Sequence, residues 1–146
     1  MISRLFTTGY EGVNSEELLR KLKKHNINCV IDVRELPLSR KPGFSKSALR
    51  SNLARENIQY VHLKKLGSPR PVRYKLKADK DYEAFFESMS DYLDNQKESI
   101  ETAYQYVKHN NCCLMCFEKL AAMCHRKIVA RKIKERDGNG LKVENI

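Results

Sequence analysis

The feature that most constrains the fold is the predominantly apolar run at residues 28–33, which is short and rich in β-branched side chains. A strand without polar alternation is buried on both faces, as strands are in parallel sheets that helices cover on either side. Residues 5–8 form an earlier β-prone run, and between the two runs Asn14 and Glu17 have the spacing of a capping box. The first third of the chain therefore predicts a β-α-β unit with a right-handed crossover.

The rest of the chain continues this alternation of strand and helix. Ser45 is placed to cap a second helix, and Cys124 lies near the predicted start of the last one. The further predicted segments are strands at 58–63, 112–117 and 141–146, and amphipathic helices around 82–93 and 100–107. This order predicts an α/β fold: a mostly parallel sheet of about five strands with helices on both faces, in a three-layer, Rossmann-like arrangement.

Length and charge suggest how the chain is organised. Its 146 residues suit a single domain, 1–146, and its net charge of +10 favours an anionic partner such as nucleic acid or a nucleotide. Residues 64–80 hold seven basic side chains against one acid, and we expect a long surface loop there. The sequence suggests neither a signal peptide nor a membrane span. Five cysteines, two of them adjacent, argue against a disulfide framework and favour the cytoplasm.

The unusual polar residues follow the predicted strands. Ligands of parallel α/β sheets bind beyond the carboxyl ends of the strands. The segments predicted at that edge are 8–12, 32–40, the basic segment 64–80, and 116–126. Four segments that agree point to a functional site along this rim of the sheet.

The same segments carry a resemblance to a known family. They read Gly-Tyr-Glu-Gly at 9–12, Asp-Val-Arg-Glu-Leu-Pro-Leu-Ser-Arg at 32–40, Leu-Gly at 66–67, and Cys-Phe-Glu followed by Cys-His-Arg within 116–126. In these motifs the chain resembles domain-of-unknown-function family 488 over nearly its whole length. The resemblance implies one compact α/β domain and supplies no activity. It maps the family pattern onto Tyr10, Asp32, Arg34, Pro37, Ser39, Arg40, Cys116, Glu118, Cys124, His125 and Arg126.

Three residues are candidates for catalysis: Cys124, Glu118 and Asp32. A cysteine at a helix start, beside His125 and Arg126, is favoured as thiolate by the helix dipole and nearby cations. The alternative is that Cys124 packs inward with its helical neighbour Ile128. On a helix, His125 would point about 100° away from Cys124, so the two side chains need not pair.

The rim also offers groups for binding an anionic substrate. Asp32 and Arg34 share a side of their strand end, so they either pair with each other or leave Arg34 free to hold a phosphate. The candidate substrate-binding residues are Tyr10, Glu11, Arg34, Ser39, Arg40, Cys116, His125 and Arg126.

A metal site is not predicted. Cys113 and Cys116, with Cys124 and His125, supply ligand types that suit zinc. However, residues 113 and 116 are an odd number apart on a strand, so their side chains face opposite sides of the sheet. The sequence identifies no cofactor.

The leading hypothesis is an enzyme that acts on a nucleotide, nucleic acid or other phosphate-bearing substrate at the rim. A mixture of acid, thiol and cation favours it, since a pure binding surface does not need the acids. One alternative is a non-catalytic nucleic-acid-binding module built on the basic segment 64–80. A second is rhodanese-like sulfur transfer through Cys124, because residues 31–35 look locally like a rhodanese segment, although the glycine-rich loop of those enzymes is missing after Cys124.

Overall fold

The computed structural model describes residues 3–146, and Met1 and Ile2 of the predicted domain lie outside it. Five strands and six α-helices make up the fold. The strands are β1 (Arg4–Gly9), β2 (Cys29–Asp32), β3 (Gln59–His62), β4 (Cys112–Cys116) and β5 (Lys142–Asn145). The helices are α1 (Ser15–Lys24), α2 (Lys46–Ala54), α3 (Arg70–Asp79), α4 (Tyr82–Asp94), α5 (Lys97–His109) and α6 (Arg126–Asp137).

All five strands are parallel and lie in the order β3-β2-β4-β1-β5. The chain runs from β1 to β2 and β3 toward one edge of the sheet, then returns to β4 and passes on to β5 at the other edge. The neighbours β2 and β4 therefore send their following segments in opposite directions. A crevice opens where such segments separate, and this is the usual ligand position in α/β sheets.

Helices cover both faces of the sheet, so the predicted three-layer α/β fold is confirmed. One core packs α1 and α2 against one face, and the other packs α4, α5 and α6 against the opposite face. Alternate residues of β4 serve the two cores: Cys113 belongs to the first and Cys116 to the second. The prediction that these cysteines face opposite sides is therefore confirmed. None of the helices within residues 3–146 combines the length and apolar character needed to cross a membrane.

The local signals at α1 and α2 had different outcomes. At α1 the capping box forms as predicted: Asn14 Oδ1 accepts from the Glu17 N–H, and the Glu17 carboxylate accepts from the Asn14 N–H. At α2 Ser45 precedes the helix, but its hydroxyl makes no capping bond. It bonds the Ser39 backbone instead, at 3.0 Å from the N–H and 3.1 Å from the carbonyl oxygen.

The prediction of a loop at 64–80 is wrong. Residues Lys64–Leu66 form a 3-10 turn, and Arg70–Asp79 form helix α3. Pro71 lies in the first turn of α3, where proline is tolerated because that turn needs no intrahelical N–H bond. Val72 and Leu76, four residues apart, pack against the core and give the helix an apolar side.

Candidate functional site

A groove opens at the crevice between the carboxyl ends of β2 and β4, and we call it the rim groove. It consists of two adjoining cavities of about 360 Å³ and about 320 Å³. The residues that line both are Ser68, Arg73, Glu118 and His125. The first cavity is also lined by Tyr10, Arg34, Glu35, Leu36, Leu38, Ser39, Cys116 and Phe117. Segments that follow four different strands thus meet at the predicted edge of the sheet.

The end of β2 holds a self-contained ion pair. Asp32 is fully buried, and its two oxygens accept from Arg34 Nε at 2.9 Å and from Arg34 Nη2 at 2.7 Å. Tyr60 donates its hydroxyl to the same carboxylate at 2.6 Å. Burial disfavours the charged guanidinium, but the bonds and charge of Asp32 outweigh this and raise the pKa of Arg34. Of the two readings of this motif, mutual pairing of Asp32 and Arg34 is the one observed.

Tyr10 belongs to the core beneath the groove. Its side chain is 3% exposed and stacks on Phe44, with ring centroids 4.5 Å apart. Its hydroxyl oxygen accepts from Arg34 Nη1 at 3.2 Å, and the same guanidinium donates to the Phe44 carbonyl oxygen at 2.7 Å. Tyr10 therefore supports Arg34 from below the cavity.

Three other predicted residues have different positions around the rim. The Ser39 hydroxyl accepts from the Lys41 N–H at 3.1 Å and shapes the turn after β2. Glu11 is exposed, and its carboxylate accepts from the Lys119 N–H at 3.0 Å, which ties the β1 and β4 segments together. Arg40 is exposed and, within residues 3–146, its side chain makes no hydrogen bond or ion pair.

Arg126 is buried beneath the segment that follows β4. Its guanidinium donates to Thr7 Oγ1 at 3.2 Å, to the Lys119 carbonyl oxygen at 3.1 Å, and to the Glu118 carbonyl oxygen. Nη1 also lies 3.2 Å from Cys116 Sγ. Arg126 thus holds the β4–α6 connection in place and sets a guanidinium beside the Cys116 sulfur.

Cys116, Cys124 and His125 form a buried cluster behind the groove, which we call the thiol cluster. The sulfur atoms of Cys116 and Cys124 lie at bonding distance, as in a disulfide, a pairing that the sequence did not predict, and their Cα atoms are 7.7 Å apart. His125 Nδ1 lies 3.7 Å from Cys124 Sγ. The three potential ligand atoms lie within 4.8 Å of one another, so the reduced form of this cluster has the donor atoms of a metal site. Cys124 also packs in the same core as Ile128, as the inward alternative predicted.

Cys124 and His125 meet because helix α6 begins one residue after the histidine. A 3-10 turn at Ala121–Met123 precedes them, and Cys124 is extended, with φ −128° and ψ 143°. The 100° offset of helical neighbours therefore does not apply to this pair. His125 Nε2 bonds the Val33 carbonyl oxygen at 2.6 Å, and burial lowers the pKa of His125 to about 4. The imidazole is neutral, with its Nδ1 lone pair turned toward the sulfur.

Glu118 connects the thiol cluster to the groove. It is half-buried, and its Oε2 lies 3.5 Å from Cys116 Sγ. Burial raises the pKa of Glu118, although the charge of Arg126 works in the opposite direction. Glu118 lines both cavities, whereas Asp32 lines neither. Of the predicted catalytic acids, Glu118 is the one that faces a ligand-sized space.

The sequence predicts the basic segment 64–80 at this rim, but not the helix α3 from which its cations line the groove. Arg73, Lys77 and Lys80 lie at positions i, i+4 and i+7, so they share one side of the helix and its C-cap. Arg73 also pairs with Glu35 at 2.9 Å, while Lys77 and Lys80 are exposed. The apolar spacing of Val72 and Leu76 is the signal that predicts this helix and hence this basic side.

A family model described as domain of unknown function DUF488 matches residues 14–133, so the chain belongs to that family. The match covers β2, β3, β4 and helices α1 to α5 entirely, together with most of α6. It includes the Asp32–Arg34 pair, the thiol cluster and the basic side of α3. The chain matches no curated protein and no solved structure.

Proposed function

We propose that this DUF488 protein is an enzyme that binds a phosphate-bearing substrate, a nucleotide or a nucleic acid, in the rim groove. One observation carries the proposal: the cations of α3 line the same cavity as Glu118 and His125, and Cys116 lines the adjoining one. Substrate-binding and chemically reactive groups thus face the same space, at the switch point where α/β folds bind ligands.

The cations suited to an anionic ligand are those of α3. Arg34 and Arg126 donate to carboxylate, carbonyl and hydroxyl oxygens of the protein, so most of their bonding capacity is already used. Lys77 and Lys80 are exposed at the groove, and Arg73 and Glu118 line the same cavity. A phosphate that bound there would lie next to the thiol cluster.

Glu118 and Cys116, which line the groove together with these cations, favour catalysis over simple binding. A carboxyl whose pKa burial has raised holds its proton more readily than an exposed one and is suited to acid–base chemistry. A thiol beside a buried guanidinium is suited to carry negative charge. A surface that only bound phosphate would be weakened by an acid such as Glu118, because like charges repel.

Binding can be tested with ATP and with a single-stranded oligonucleotide, by calorimetry and fluorescence anisotropy. The double variant K77M/K80M should bind at least about tenfold more weakly, since each lost cation removes a favourable interaction of about 1 kcal/mol. The matched control is K24M/K108M, which removes the same charge from exposed lysines in the last turns of α1 and α5. Equal affinity in all three proteins, or no binding of either probe, would overturn the proposal.

Turnover distinguishes the enzyme from a non-catalytic module. The protein is incubated with a mixture of nucleotides and oligonucleotides, and products are followed by mass spectrometry. We expect conversion that E118Q abolishes while its binding is retained. Binding that falls steeply with salt, without any conversion in the wild type, would support the nucleic-acid-binding module instead.

A further inference from the structure

We propose that the thiol cluster is a zinc site in which Cys116 Sγ, Cys124 Sγ and His125 Nδ1 are the three protein ligands. Their ligand atoms all lie within 4.8 Å of one another. Zinc bonds sulfur at about 2.3 Å and nitrogen at about 2.0–2.1 Å, so ligand atoms on one ion are separated by somewhat less than 4 Å. Small side-chain rotations bring all three atoms onto one ion.

The ligands come from two segments, which is why strand periodicity does not reveal them. Cys116 is the last residue of β4, and Cys124 and His125 precede α6. Cys113, considered at first with them, faces the opposite core and plays no part. The segment between the ligands is held in position by Arg126 through the carbonyl oxygens of Glu118 and Lys119.

The histidine is already oriented as a ligand. Its Nε2–H donates to the Val33 carbonyl oxygen at 2.6 Å, which fixes the tautomer and leaves the Nδ1 lone pair directed at the cysteines. Histidine ligands of metals commonly donate their second nitrogen to a backbone carbonyl or carboxylate in this way. A histidine that only filled the core would not need its free lone pair turned toward two sulfur atoms.

The surroundings also suit metal-bound thiolates. The Arg126 guanidinium lies 3.2 Å from Cys116 Sγ, and the Arg126 backbone N–H lies 3.4 Å from Cys124 Sγ. Both are donors to sulfur, and such contacts stabilise thiolate ligands. When zinc binds, each thiol releases its proton to solvent, and the two negative charges balance the charge of the ion.

A disulfide is the competing use of the two cysteines. Bonded cysteines usually have Cα atoms roughly 4.4–6.8 Å apart. The separation of 7.7 Å between the Cα atoms of Cys116 and Cys124 exceeds that range, so their backbone spacing is unfavourable for a cystine. A bridging zinc ion requires the reduced sulfur atoms to move apart by side-chain rotation, and the wide Cα separation leaves room for this.

The fourth coordination position opens onto the rim groove. Cys116 and His125 line the cavity there, and Glu118 Oε2 lies 3.5 Å from Cys116 Sγ. Sites with three protein ligands and an open position are catalytic rather than structural, and they activate a bound water. Zinc binding stands on the geometry alone; its use in catalysis beside Glu118 rests on the function proposed above.

The test is zinc and cobalt binding to the purified full chain, kept reduced with a phosphine. We expect one zinc per chain, and with cobalt a thiolate-to-metal charge-transfer absorption. C116S, C124S and H125Q should each weaken zinc affinity by more than about 100-fold, because even residues that merely support a ligand contribute 10–100-fold. C113A is the matched control: it removes a buried cysteine of the same strand and should bind zinc like the wild type.

Circular dichroism establishes that each variant is folded, and if a cysteine variant unfolds, H125Q alone decides. Absence of zinc binding by the reduced wild type would overturn the site, and so would equal affinity in H125Q and the wild type. Chain that binds zinc but fails both ATP and oligonucleotide binding keeps the metal site and refutes the proposed function. Chain that binds ATP or the oligonucleotide but does not bind zinc refutes the metal site alone.

Discussion

The ends of β2 and β4 invite comparison, because these neighbouring strands each finish at the rim with an acid and an arginine close by. At β2, Asp32 and Arg34 pair with each other, and Asp32 also accepts from Tyr60. No ligand-sized space reaches the acid. At β4, Arg126 donates mainly to backbone carbonyls, and Glu118 is left facing the groove. Similar residues thus build a support at one strand and a reactive surface at the next.

The largest effect should come from Asp32→Asn. The change leaves the Arg34 charge buried without its partner, and breaking a buried pair in this way costs about 3–5 kcal/mol. The free energy of unfolding in urea should fall by that amount. If the variant were as stable as the wild type but inactive, Asp32 would belong to the reactive side of the comparison.

Gly9→Ala should come next. A Cβ at residue 9 would meet the Glu118 carbonyl oxygen at 1.7 Å, so the end of β1 and the segment after β4 must move apart. Overpacking of this kind typically costs about 1–3 kcal/mol, and here we expect the upper end because the obstacle is backbone. Urea unfolding checks the stability. Gly12→Ala meets nothing within 4 Å and is the control for space, although its φ of +77° adds strain of its own.

Glu118→Gln tests the other side of the comparison. Its carboxylate has no ion-pair partner within residues 3–146, and the side chain is half-buried. We expect the free energy of unfolding to change by less than about 1 kcal/mol, since burial already disfavours the charged form. A loss of unfolding free energy as large as that of Asp32→Asn would show that Glu118 stabilises the fold as Asp32 does.

Arg40→Ala should have the smallest effect on stability. The side chain is exposed and makes no bond in the described part of the chain, so the change should stay within about 0.5 kcal/mol. Thermal unfolding measures this. A clear loss of ATP affinity in the same variant, with stability intact, would extend the rim groove outward to residue 40.

The sheet could be predicted because its signals are local. Residues 28–33 read as a strand buried on both faces, and Cys29–Asp32 is a central parallel strand. Asn14 and Glu17 predict the start of α1 for an equally local reason, two bonds within one turn. Helix α3 was not predicted because its lysines and Pro71 obscure the apolar pair Val72 and Leu76. That pair indicates a helix only once the core on which it packs is known.

The site was harder to predict than the fold. The sequence indicates the right edge of the sheet, since that depends only on strand direction. It does not show which charges are already paired: Asp32 bonds Arg34 and also accepts from Tyr60, which lies on another strand. The meeting of Cys116 with Cys124 and His125 depends on a 3-10 turn that no periodicity predicts.

One contact links the two strand ends. The carbonyl oxygen that accepts the hydrogen bond from the His125 Nε2–H belongs to Val33, the residue between Asp32 and Arg34. The orientation of the imidazole is thus anchored to a peptide that the ion pair immobilises. Loosening that anchor would let the ring swing, although neither Asp32 nor Arg34 touches a sulfur atom. A screen that scored activity alone would then mistake Asp32 for a proton donor. A stability measurement made alongside it would show that Asp32 acts by holding the Val33 peptide in place.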